Sequence, residues 1–232
     1  MLRQIILDTE TTGIGHDSGH RIIEIGCLEL IDRRLTGEQF HVYLNPDRAI
    51  DPGAARVHGI KSAFLVDKPR FPDILEDFIA FVNNAELIIH NAPFDMGFLN
   101  AELKRAKYPD NLESHCGVFD TLVLAKQKHP GQRNNLDALC KRYHVVNSHR
   151  KLHGALLDSE LLALVYLAMT GGQASLFGEG EREAEDKKNS NQSEQIFNQL
   201  TSNSPVYTAT EAERAKHDEF IQKIMKKSGV TR

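Results

Sequence analysis

Asp8 and Glu10 flank Thr9 at the end of the apolar run Ile5-Ile6-Leu7, directly before Thr11-Thr12-Gly13. In an extended segment residues i and i+2 share a face, so both carboxylates converge on one spot. Crowded like charges raise one another's pKa and oppose folding, a conflict that a divalent cation resolves. The pair reads as half of a metal site. The same residues also suit an ordinary turn, because a strand-end Asp bonds backbone amides two residues on and Thr-Thr-Gly is turn chemistry. Further carboxylates decide between the two.

Two more acids qualify. Asp95 follows an apolar strand in His90-Asn91-Ala92-Pro93-Phe94-Asp95, at the strand-end edge where α/β sheets carry their ligands. Asp158 sits in an otherwise apolar stretch, Ala155-Leu156-Leu157 before it and Leu161-Leu162-Ala163 after it. Either could simply complement the positive end of a helix. His153 precedes Asp158 by five residues across Gly154, a spacing that puts the two on different faces of one helix, so His153 belongs to the loop before it.

The elements that position these groups follow from the hydrophobic pattern. Leu2 to Leu7, Arg21 to Ile31 and Gln39 to Leu44 read as strands, with Asp32 to Gly37 as the hairpin connection between the last two. Helices are expected over Asp73 to Val82, Pro93 to Ala106, Leu122 to Lys128, Leu136 to Tyr143 and Ala155 to Met169. Glu86 to His90 and Val118 to Thr121 read as strands between them. Antiparallel strands followed by helix-linked strands predict a mixed sheet in an α/β domain, ending at Gly171-Gly172.

Composition narrows the class. The 232 residues, 41% hydrophobic, can build one core plus an appendage. Three cysteines without Cys-x-x-Cys spacing suggest neither a disulfide framework nor structural zinc, which fits a reducing cytoplasm. No secretion signal or membrane span is expected. With net charge −4 and no long basic block, any hold on nucleic acid is local and weak, and such an enzyme depends on tethering.

Asp8-x-Glu10, Asp95 and His153-x-x-x-x-Asp158, in that order, resemble the DEDD exonuclease family in the branch with a histidine five residues before the last acid. The likeness runs from about Leu2 to Met169. It implies a ribonuclease H-like fold, two divalent cations (Mg²⁺ or Mn²⁺) and 3′ to 5′ hydrolysis of a terminal nucleotide. Asp8 would bridge the metals, Glu10, Asp95 and Asp158 would complete their shells, and His153 would take the proton from water. Two-metal hydrolysis suits carboxylate ligands, which hard cations prefer. Asp8, Glu10, Thr11, Gly53, His58, Asn91, Phe94 and Asp158 are the implied contacts to the terminal nucleotide. Gly53 stands where related chains often carry an acid, and Phe94 serves equally well as core.

Within the family, Arg33 to Gly37, Phe40 to Leu44, Asn135 to Cys140, His153 to Asp158 and Val165 to Gln173 are similar to the proofreading subunits of bacterial replicative polymerases. Residues 173–177, Gln173-Ala174-Ser175-Leu176-Phe177, resemble the peptide that inserts into the sliding clamp, through Gln173, Ser175, Leu176 and Phe177; alternatively Leu176 and Phe177 pack on the core. A polar stretch within 178–205 is expected to be a flexible linker. Residues 206–232 are expected to form a helix, with Thr210 and Glu213 at capping-box spacing and Phe220, Ile221, Ile224 and Met225 on one face, either folded back on the core or docking a partner. By resemblance this helix docks the catalytic alpha subunit, and a small theta-like subunit is a further partner. An RNA-trimming exonuclease and a non-catalytic clamp–polymerase adaptor remain as alternatives.

Overall fold

The computed structural model describes residues 2–147 and 152–171. The chain divides after Gly172 into two units, and the second, with the clamp peptide, linker and docking helix expected there, lies outside the described residues. Five strands form one sheet in the order β3-β2-β1-β4-β5: β1 Arg3–Thr11, β2 Ile22–Ile31, β3 Arg34–Tyr43, β4 Glu86–Ile89 and β5 Gly117–Asp120. β1, β2 and β3 run antiparallel, while β4 pairs parallel with both β1 and β5. This is the mixed sheet that the strand and helix pattern predicts.

Among the described residues seven α-helices connect and cover it: α1 Pro52–His58, α2 Ser62–Leu65, α3 Phe71–Val82, α4 Ala92–Arg105, α5 Thr121–Lys128, α6 Leu136–Arg142 and α7 Ala155–Thr170. Alternating side chains supply two cores. Ile5, Leu7, Ile25, Cys27, Leu87 and Ile89 pack beneath Phe71, Phe78, Met96, Phe98 and Leu99 of α3 and α4. Ile6, Leu28, Leu30 and Ile88 pack on the other face against Leu139, Leu162, Val165 and Tyr166 of α6 and α7.

Two boundaries differ from expectation by more than two residues, each for a physical reason. β1 continues to Thr11, because Asp8, Thr9, Glu10 and Thr11 pair with β2 although β4 pairs only with Gln4, Ile5 and Ile6. The hairpin turn is Asp32-Arg33 alone, with φ of 48° and 67°, the left-handed pair that a two-residue turn needs. Gly37, φ 91°, instead lies where the β2–β3 register shifts between Leu28 and Leu30. Arg33 occupies a conformation most residues avoid, and its guanidinium donates to Leu167 O at 3.0 Å and Thr170 Oγ at 2.8 Å, tying the turn to the end of α7.

Candidate active site

β1 and β4 are parallel, so their carboxyl ends share an edge, and β1 overruns its neighbour there. Asp8 and Glu10 continue the face begun by Gln4 and Ile6. On that face α7 begins directly over Gly26, the register partner of Asp8. A Cβ at position 26 would stand 2.3 Å from Leu156 N and 2.4 Å from the Ala155 carbonyl carbon. The Ser159 hydroxyl donates to Gly26 O at 2.8 Å. Close backbone approach therefore brings Asp158, one turn into α7, to the strand acids.

The result is a cluster in which ligand atoms of Glu10, His153 and Asp158 all lie within 4.8 Å of one another. His153 is in the loop before α7, its Nδ1 3.1 Å from Asp158 Oδ2, and its backbone N–H donates to Val57 O at 3.1 Å. Its side chain is 42% exposed, whereas that of Asp158 is 5% exposed. Asp8 lines the same cavity as His153 and Asp158.

Asp95 reaches β1 from the opposite side. α4 lies on the Ile5/Leu7 face, and the Thr9 hydroxyl, which points that way, donates to Asp95 Oδ1 at 2.7 Å. Burial pushes the Asp95 carboxyl up to about 7 against the lowering effect of that hydrogen bond. Asp120, at the end of β5, accepts from the amides of Asn91 and Ala92 at the start of α4 and of Leu122 and Val123 at the start of α5. One carboxylate so fixes both helix entrances. Asn91 is left-handed at φ 70°.

Two cavities flank the cluster. The first, about 550 Å³, is lined by Glu10, Thr11, Gly13, Gly53, His58 and Phe94, which gathers five of the residues expected at the terminal nucleotide. His58 is buried, its Nδ1 accepts from Ile60 N–H at 3.0 Å, and desolvation lowers its pKa. The ring is neutral at pH 7, with its proton on Nε2. A Cβ on Gly53 would meet nothing within 4 Å. The second cavity, about 510 Å³, contains Asp8, Asn91, His153 and Asp158.

Sequence reasoning missed Gly26, Ser159, Asp120 and Glu24. Glu24 is the register partner of Glu10, is buried, and bonds His41 Nε2 at 2.8 Å. Its visible signal was an acid inside the apolar run Ile22-Ile23-Glu24-Ile25.

The family described as Exonuclease (RNase_T) matches residues 5–166. The DNA polymerase III subunit epsilon of Salmonella typhimurium is 50% identical over 98% of this chain and 95% of its own length. The chain belongs to the epsilon-subunit family of exonucleases. The Escherichia coli epsilon subunit is 47% identical over 98% of this chain and 95% of its own. Exonuclease X, solved in complex with 5′ overhanging duplex DNA, is 28% identical, with TM-score 0.55 over 74% of this chain and 95% of its own. Exonuclease I, at 19% identity and TM-score 0.64 over 75% of this chain and 42% of its own, shares the fold.

Membership in this family, whose exonucleases depend on divalent metal, makes the chain a 3′ to 5′ exonuclease, a hydrolase with a ribonuclease H-like fold. Among the described residues no helix is long and apolar enough to cross a membrane.

Proposed function

We propose that this chain removes mispaired nucleotides from the 3′ end of DNA during replication, by two-metal hydrolysis with His153 as general base. The observation that carries this reading is the convergence of Glu10, His153 and Asp158 within 4.8 Å, with Asp8 on the same face of β1. The donors suit the group: carboxylate oxygens for hard cations, and an exposed imidazole better placed to move a proton than to close a metal shell. Two Mg²⁺ or Mn²⁺ ions, when bound, would acidify the attacking water and neutralise charge on the scissile phosphate.

The protein's own groups do the rest. Asp8 would serve both cations, with Glu10, Asp95 and Asp158 completing their surroundings directly or through water. Asp158, 3.1 Å from His153 Nδ1, orients the ring and stabilises the imidazolium that forms when Nε2 takes the water's proton. Thr11, Gly53, His58 and Phe94 enclose the terminal nucleotide, His58 donating from Nε2 to a substrate oxygen and Phe94 meeting the base. Asn91 stands on the Asp8 side. The alpha subunit on residues 206–232, the sliding clamp on residues 173–177 and a theta-like subunit are the proposed partners.

His153→Ala is expected to lose nearly all hydrolysis of a 3′-labelled oligonucleotide while retaining Mn²⁺ binding by calorimetry, and Asp8→Ala to lose both. Hydrolysis near the parent level by either variant refutes the assignment. Equal degradation of RNA and DNA ends would favour the RNA-trimming alternative.

A further inference from the structure

We propose that the second cavity is the subsite for the nucleotide on the 5′ side of the scissile bond, with Lys126 and Gln132 contacting its backbone phosphate. The inference rests on the nuclease reading above. A scissile phosphate at the acidic cluster must have a terminal nucleotide on one side and the continuing strand on the other. Glu10 faces the first cavity, while Asp8, His153 and Asp158 face the second. A nucleotide held among Thr11, His58 and Phe94 leaves the second cavity as the concave path for the strand, and its ~510 Å³ is of ligand-holding size.

Its chemistry suits a phosphodiester. Among the described residues lining either cavity, Lys126 is the one Lys or Arg. It shares the cavity with Asp8, Asp137 and Asp158, acids that would otherwise repel the polymer, and with Gln132 and Asn135.

The wall that presents these groups is braced from beneath. The Asn134 side chain, 7% exposed, donates to His129 O and Gln132 O, both at 3.1 Å, and accepts from Arg142 at 3.1 Å. Arg142 also donates to Arg133 O at 3.0 Å. The His90 ring bonds Thr121 Oγ at 2.9 Å. A loop with its carbonyls bonded inward presents its outer side chains in a fixed place, so little ordering entropy is lost on binding.

The test compares two substrates of the full-length protein: the p-nitrophenyl ester of thymidine 5′-monophosphate, which has no 5′-side nucleotide, and a single-stranded DNA oligonucleotide. Lys126→Gln should raise the oligonucleotide KM about tenfold relative to the ester. It should also make the dependence of log KM on log salt shallower by about 0.7, the loss of one single-strand phosphate contact. Gln132→Lys should do the opposite, lowering KM and steepening the slope by about 0.7, a gain that misfolding cannot produce. Equal changes on both substrates, or unaltered salt slopes in both variants, overturn the subsite while parent hydrolysis of the ester upholds the catalytic reading. Failure of the parent protein on both substrates with Mg²⁺ and Mn²⁺ overturns both.

Discussion

Gly26→Ala tests how the site is assembled. The new Cβ would lie 2.3 Å from Leu156 N, 2.4 Å from Ala155 C and 2.6 Å from Ala155 O, where ordinary contact begins at 3.4 Å. Backbone, not a flexible side-chain end, is what it meets, so the start of α7 must retreat by about 1 Å in a closely packed interior. Asp158 and the His153 loop move with it. Overpacking of this kind costs about 2 kcal/mol, a fall in Tm of about 4–8 °C for a domain of this size. Misplacing catalytic groups by about 1 Å costs on the order of 10²-fold in kcat. Ester hydrolysis and calorimetric unfolding measure the two effects. Gly53→Ala is the control for the unfolding measurement alone, because its Cβ meets nothing within 4 Å in helix α1, and it should gain about 0.5 kcal/mol. A Gly26→Ala protein with parental Tm and kcat refutes the argument that α7 is seated by backbone contact on β2.

Three further outcomes are expected. Arg21 donates to both oxygens of buried Glu102, at 2.6 and 2.8 Å, so Arg21→Ala should cost about 3 kcal/mol in denaturant unfolding by leaving a buried charge; the neighbouring Arg105 at 3.4 Å holds the loss to the low end. The Asp95 carboxyl is raised from 3.8 to about 7 by burial, so its contribution to the metal-free fold is present below pH 3.8 and lost as pH rises through about 7. Asp95→Asn should flatten that part of the stability profile, and an unchanged profile between pH 4 and 7 contradicts it. Truncation after Gly172 should abolish capture of clamp and alpha subunit while keeping ester hydrolysis, and full capture of both would refute the tail assignment.

Much of the site was legible because its chemistry dictates residue types. Asp8 and Glu10 share a face by strand periodicity alone, and His153 had to lie off the α7 helix because five residues do not return to one face. Asp120 was not legible. Its role comes from β5 lying beside β4, a long-range pairing that puts one carboxylate under two helix starts. Asp95 was expected with the strand acids, yet which side of β1 it approaches depends on where α4 packs.

Sequence by itself determined the mixed sheet and the order of its strands and main helices, since these follow from local periodicity, and it singled out the acids and their histidine as candidates through the resemblance of their spacing to a nuclease family. Tertiary structure alone decided that Glu10, His153 and Asp158 meet. That meeting depends on Gly26, whose missing side chain lets two backbones touch across 130 residues of chain, a steric fact that no local pattern encodes.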